Sequence, residues 1–87
     1  MPYIEQADRK PYTDVLDQLP RITSVGDLNF VLTTIYLRYF NGVGGYGRIN
    51  DVIGAIESSK LEFYRRVAVP FENEKIIVNG DVYGELT

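Results

Sequence analysis

The segment from Val25 to Phe40 sets the terms for everything else this chain can do. With successive side chains about 100° apart around a helix, Leu28, Val31, Leu32, Ile35 and Tyr39 fall on one narrow face. Tyr36 and Phe40 widen that face, and Phe30 and Leu37 lie on the opposite side. Thr34 and Arg38 form the continuous polar strip. A helix that is apolar on two faces belongs either at the centre of a domain or at an interface between molecules. The whole chain has 87 residues. A domain this short hides little more than roughly 60% of the surface its unfolded chain exposes, so its core is thin. The expected outcome is a homo-oligomer, most simply a dimer, with Phe30, Leu37 and Phe40 as candidate interface residues.

Composition narrows the chemistry. There is no Cys, His or Trp. Disulfides, thiolate nucleophiles and imidazole ligands are therefore excluded, and with them catalytic triads and zinc-activated water. Carboxylates remain as ligands for Mg²⁺, but Glu57 and Glu62 are five residues apart, and Glu72 and Glu74 point to different sides of a helix. Neither spacing suits one metal ion on one helix face, so no cofactor and no metal site is expected. The balance lies against an enzyme.

Other totals bear on partners and compartment. Hydrophobic residues make up 45% of the chain, too many for a disordered segment. No apolar run approaches the roughly 20 residues that span a bilayer, and Met1–Lys10 lacks a signal-peptide core. A cytoplasmic protein without membrane association is expected, and the lack of Cys fits that reducing compartment. The net charge is −3, with both ends acidic and the middle slightly basic. General nucleic-acid binding needs a clustered basic surface, and none is expected here.

Punctuation along the chain gives an all-α reading with a single domain over residues 1–87. The spacing predicts a short helix over about residues 8–19, with Asp8 as its cap and Pro11 tolerated in its first turn. Ser24 caps a second helix from Val25 to about Phe40, answered by Asp27. The glycine-rich stretch Asn41–Gly47 ends it. Gly42-Val43-Gly44-Gly45-Tyr46-Gly47 matches the Gly-x-Gly-x-x-Gly pattern. A helix precedes it and no strand does, so it reads as an interhelical loop rather than a dinucleotide fingerprint. A third helix is expected from Tyr46 to about Val69, kinked or restarted at Pro70. The second and third helices are expected to form a central antiparallel pair.

Residues 76–83 admit two readings. Asn79-Gly80 suits a hairpin turn between Ile76-Ile77-Val78 and Asp81-Val82-Tyr83. Two strands alone are marginal, however, and no third is evident. A short fourth helix ending at Asn79-Gly80, followed by an extended tail, is preferred. The expected architecture is a small bundle of three main helices with that short C-terminal helix and tail.

The candidate binding residues lie on the third helix. Lys60 falls in line with Ile49, Ile53, Ile56, Phe63 and Val67, in the middle of an apolar stripe. Glu57 is three residues earlier, and Asn50, Glu57 and Tyr64 form a row with heptad spacing. One reading is a polar notch that binds a ligand. The other is a lysine that reaches past its neighbours, or pairs with Glu57 or with a carboxylate from another segment. Glu62-Phe63-Tyr64-Arg65-Arg66 can likewise be a grip for phosphate or an exposed face with local ion pairs. Acids interspersed with the arginines favour the ion pairs.

Taken together, several strings resemble a family of short proteins of unknown function found in bacteria and their phages. They are Met1-Pro2-Tyr3-Ile4, Gly26-Asp27-Leu28-Asn29-Phe30, Asn50-Asp51-Val52-Ile53-Gly54-Ala55-Ile56-Glu57, Glu62-Phe63-Tyr64-Arg65-Arg66 and Asn79-Gly80-Asp81-Val82-Tyr83. The resemblance covers nearly the whole chain. The family pattern is more polar just before Asn-Gly than Ile76-Ile77-Val78 is here, which implies a helix there in relatives. Because the family strings include Asn50, Glu57, Glu62, Arg65 and Arg66, the resemblance points to the middle helix as the functional surface and assigns no reaction. Three functions follow as expectations. The first is a non-enzymatic interaction protein acting as a homo-oligomer. The alternative is a small phosphate- or nucleotide-handling protein using Arg65 and Arg66 with nearby carboxylates. The third is a phage-encoded inhibitor of a host protein.

Overall fold

A computed structural model describes residues 4–84. The regular elements among the described residues are all helical, with no strand: a 3₁₀ turn at Gln6–Asp8, α1 at Lys10–Leu16, α2 at Val25–Val43, α3 at Tyr46–Phe63, a π-helical segment at Tyr64–Ala68, and α4 at Val69–Asn79. The all-α expectation holds, with the short fourth helix in place. The chain divides into two compact units, Met1–Gly54 and Ala55–Thr87, and the division falls inside α3.

In the first unit, the sequence expectation for the opening helix is too long at both ends. Asp8 sits inside the 3₁₀ turn and is not the cap of α1; Arg9 occupies that position and gives no side-chain cap bond. Pro11 is in the first turn of α1, where its missing N–H costs nothing. After Leu16 the chain tightens into i→i+3 bonds, Gln18 N–H to Val15 C=O and Leu19 N–H to Leu16 C=O, in place of further α turns.

The start of α2 follows the sequence reading. Ser24 is extended, and its Oγ accepts a hydrogen bond from the Asp27 N–H at 3.0 Å. Its end lies three residues later than expected. Asn41 and Gly42 stay helical, and the stop comes at Gly44, where φ reaches +76° and the N–H donates to the Phe40 carbonyl. Gly45 follows at φ +89°. These two positive-φ residues are the whole connection to α3, because a side chain there would be strained. The glycine run is thus an interhelical turn.

Within the first unit, α2 meets the beginning of α3 through Tyr39 rather than along a packed seam. Over the stretch of α3 that belongs to this unit, the expected antiparallel packing against α2 is not formed, and α2 holds no buried residue. Leu28, Leu32 and Ile35 remain about half exposed, and Phe30 is 72% exposed.

The second unit owes its backbone to Pro70. Proline lacks an N–H, and its ring would press on the carbonyl four residues earlier, that of Arg66. The chain meets this with a wider turn over Tyr64–Ala68, in which the Val69 N–H donates to the Tyr64 carbonyl five residues back. Pro70 then occupies the first turn of α4, and α4 ends at Gly80 with φ +88°. Ile76–Asn79 are helical, which settles residues 76–79 as a helix end and excludes the hairpin.

Candidate functional site

The structure places Asn50 in the first unit and the other third-helix candidates in the second. It sorts the latter into three local constellations. The first is Glu57 with Lys60. Their side chains pair at 3.2 Å, and both are more than half exposed. The stripe expected to surround Lys60 is itself open to solvent, with Ile56 at 46%, Phe63 at 65% and Val67 at 52% exposure. Lys60 is therefore a solvated partner of Glu57 and not a charge set in a core. Lys60 pairs with Glu57, as one of the sequence readings has it, on a face that is not buried.

The second constellation centres on Glu62, the one buried side chain among the described residues, at 8% exposure. Its carboxylate accepts from Arg65 Nη2 at 2.7 Å and, through the other oxygen, from Arg66 Nε. Both pairs have the helical spacing expected from the sequence. Hydrogen bonds from Arg65 and then Arg66 hold the Glu62 carboxyl below its ordinary titration range, against the smaller opposing effect of desolvation. Glu62 is the penultimate residue of α3, and the two arginines belong to the π segment. The carboxylate thus fastens the α-to-π junction. Each guanidinium already spends a donor on it, leaving a triad with one net positive charge for an incoming anion.

The third constellation holds Tyr64. Its hydroxyl donates to Glu72 Oε2 at 3.3 Å, linking the start of the π segment to the first turn of α4. These two residues, with Lys75, Asp81 and Tyr83, help line an open cleft of about 560 Å³. Lys75 also extends its ammonium over the Phe71 ring, 5.5 Å from the centroid. The sequence reading missed Glu72 as a partner, because an eight-residue separation is not a contact spacing on a regular α-helix.

A fourth arrangement, in the first unit, escaped the sequence reading altogether. The Tyr39 hydroxyl donates to Asp51 Oδ2 at 2.7 Å, and the Arg48 guanidinium lies over the Tyr39 ring at 4.1 Å. The bond to Asp51 and desolvation raise the Tyr39 pKa, while Arg48 opposes the rise. Periodicity within one helix carries no signal for a contact across a turn. The clasp ties the end of α2 to the beginning of α3.

The interface candidates are all on α2. Phe30 and Leu37 are exposed, and Phe40 is half-buried. No group of three or more acidic residues among those described could hold a metal ion. No helix among the described residues is long and apolar enough to cross a membrane.

The family model for a domain of unknown function (DUF6899) matches residues 1–82, and the chain belongs to that family. No curated protein and no solved structure matches.

Proposed function

We propose that this family member is a non-enzymatic interaction protein that works as a homo-oligomer, in its simplest form a dimer, in the cytoplasm of a bacterium or of a phage-infected host. The observation that carries the reading is the lack of any buried hydrophobic side chain among the described residues. Burial of apolar area is the dominant favourable term in folding, so a chain with no dry core needs surface from outside itself.

The exposed side chains among the described residues include large apolar ones, Phe30, Phe63 and Phe71 among them. Such residues form the cores of interfaces that do not come apart.

The competing phosphate-handling reading rests on consecutive arginines in a π segment, a feature often found near functional sites. Their commitment to Glu62 weighs against it. The mild negative net charge likewise argues against general nucleic-acid binding. Sedimentation equilibrium over the micromolar range tests the proposal, with a dimer or larger species expected. A single monomeric species across that range overturns it. A thermal shift with nucleotide and Mg²⁺, lost in Arg65→Ala, would move the case to the competing reading.

A further inference from the structure

We infer that the cleft between α4 and the turn that follows it binds a small organic cation, a guanidinium or primary ammonium carried on an aliphatic stem. The cleft lies wholly in the second unit. It is independent of the homo-oligomer reading, which rests on apolar surface.

The backbone builds the cleft from both ends of α4. The wide π turn brings Tyr64 to Glu72, eight residues on, a separation that a regular α-helix keeps apart. Glu72, Lys75 and Ile76 follow one another at helical spacing on one face of α4. The chain then turns at Gly80, with φ +88°, and Asp81 and Tyr83 contribute to the remaining wall. The enclosed volume, about 560 Å³, is that of a small-molecule site.

Charge decides the class of ligand. Glu72 and Asp81 each commit one oxygen within the cleft. Glu72 Oε2 accepts from the Tyr64 hydroxyl at 3.3 Å, and Asp81 Oδ1 accepts from the Tyr83 N–H at 2.9 Å. Glu72 Oε1 and Asp81 Oδ2 accept no hydrogen bond from any described residue. Lys75 is the cation of the described lining, and its ammonium lies over the Phe71 ring, which is outside the cleft. The lining thus holds two carboxylates with open oxygens against one ammonium directed elsewhere. An incoming cation gains charge-assisted hydrogen bonds at those oxygens. The rings of Tyr64 and Tyr83 offer it π faces, and Ile76 offers its stem an apolar contact. An anion meets two like charges instead, and a neutral apolar ligand desolvates both carboxylates without giving them a partner.

The test is titration of the full chain, followed by amide NMR, with three probes. Agmatine stands for a free amine, and N-acetylarginine amide for a side chain presented by another protein. N-acetylcitrulline amide keeps the shape of the second without its charge. Saturable shifts confined to Tyr64, Glu72–Ile76 and Gly80–Tyr83 are expected with a cationic probe, with a dissociation constant of about 1 mM or lower. The tighter cationic probe identifies the source. Glu72→Gln and Asp81→Asn, both at exposed positions, should each weaken binding by about tenfold. Asp14→Asn, in the first unit, removes the same charge far along the chain and should leave affinity within about twofold. Circular dichroism checks that each variant is folded. Equal binding of the citrulline probe, an equal loss in Asp14→Asn, or no saturable shift in the cleft up to about 10 mM of either cation overturns the inference.

Discussion

The two long helices differ in what they leave open to solvent. α2 has 19 residues with one acid and one base, a side-chain cap at its start and no buried residue. The end of α3 and the π segment are rich in charge and contain Glu62, the one buried side chain among the described residues. The large apolar groups of α2 face water, and on the proposed reading a partner covers them. The Glu62 junction is finished, since its carboxylate and two guanidiniums already satisfy one another. On the proposed reading, rows of hydrophobic residues mark where this protein reaches outward; the most conspicuous charged motif is bound up in its own ion pairs.

The difference is open to test, beginning with the largest effect. Leu37→Asp places a charge on the exposed apolar surface of α2, at a candidate interface residue. Burying it without a partner should cost about 3 kcal/mol or more, weakening the dimer by over a hundredfold. Sedimentation at fixed concentration measures the loss, and an unchanged dissociation constant would separate α2 from the association surface. Ser24→Ala removes the cap of α2, worth about 1 kcal/mol. A drop of about 4–8 °C in melting temperature is expected for a domain this size, read by circular dichroism.

The Glu62 junction should respond to pH. Its folded pKa is depressed by Arg65 and Arg66, so its contribution is complete above the ordinary carboxylate range and is lost as pH falls through the lower folded value. Stability should therefore decline on acidification, and Glu62→Gln should flatten that part of the profile. Equal acid sensitivity in both chains would deny Glu62 its fastening role. The smallest effect is expected from Lys60→Met, because its pair with Glu57 is solvated. The change should stay within about 0.5 kcal/mol of neutral in chemical denaturation. A large destabilisation would mean that this face is polar and paired in the assembled protein.

Much of the secondary structure was legible in the residues. Ser24 and Asp27 announced the start of α2, Glu62 with Arg65 and Arg66 had helical ion-pair spacing, and Asn79-Gly80 marked the end of α4. These are local signals, decided within one or two turns. The rest depended on chain not adjacent in sequence or on backbone that departs from the regular α-helix. Asn41 and Gly42 stayed helical because the positive φ that ends α2 falls at Gly44. Pro70 was recognisable as an interruption, but not the π turn that accommodates it. The apolar stripe around Lys60 implied a core, and the structure leaves it exposed, because periodicity identifies a face without saying what covers it.

The central claim is that α2 is completed by a second copy. Thermal unfolding of the chain followed by circular dichroism over a hundredfold dilution series tests it most directly. Folding linked to association makes the midpoint rise with concentration, and the account predicts that the helical signal melts earlier in the dilute samples. A midpoint that stays constant across the series, with full helical signal at the lowest concentration, would contradict it.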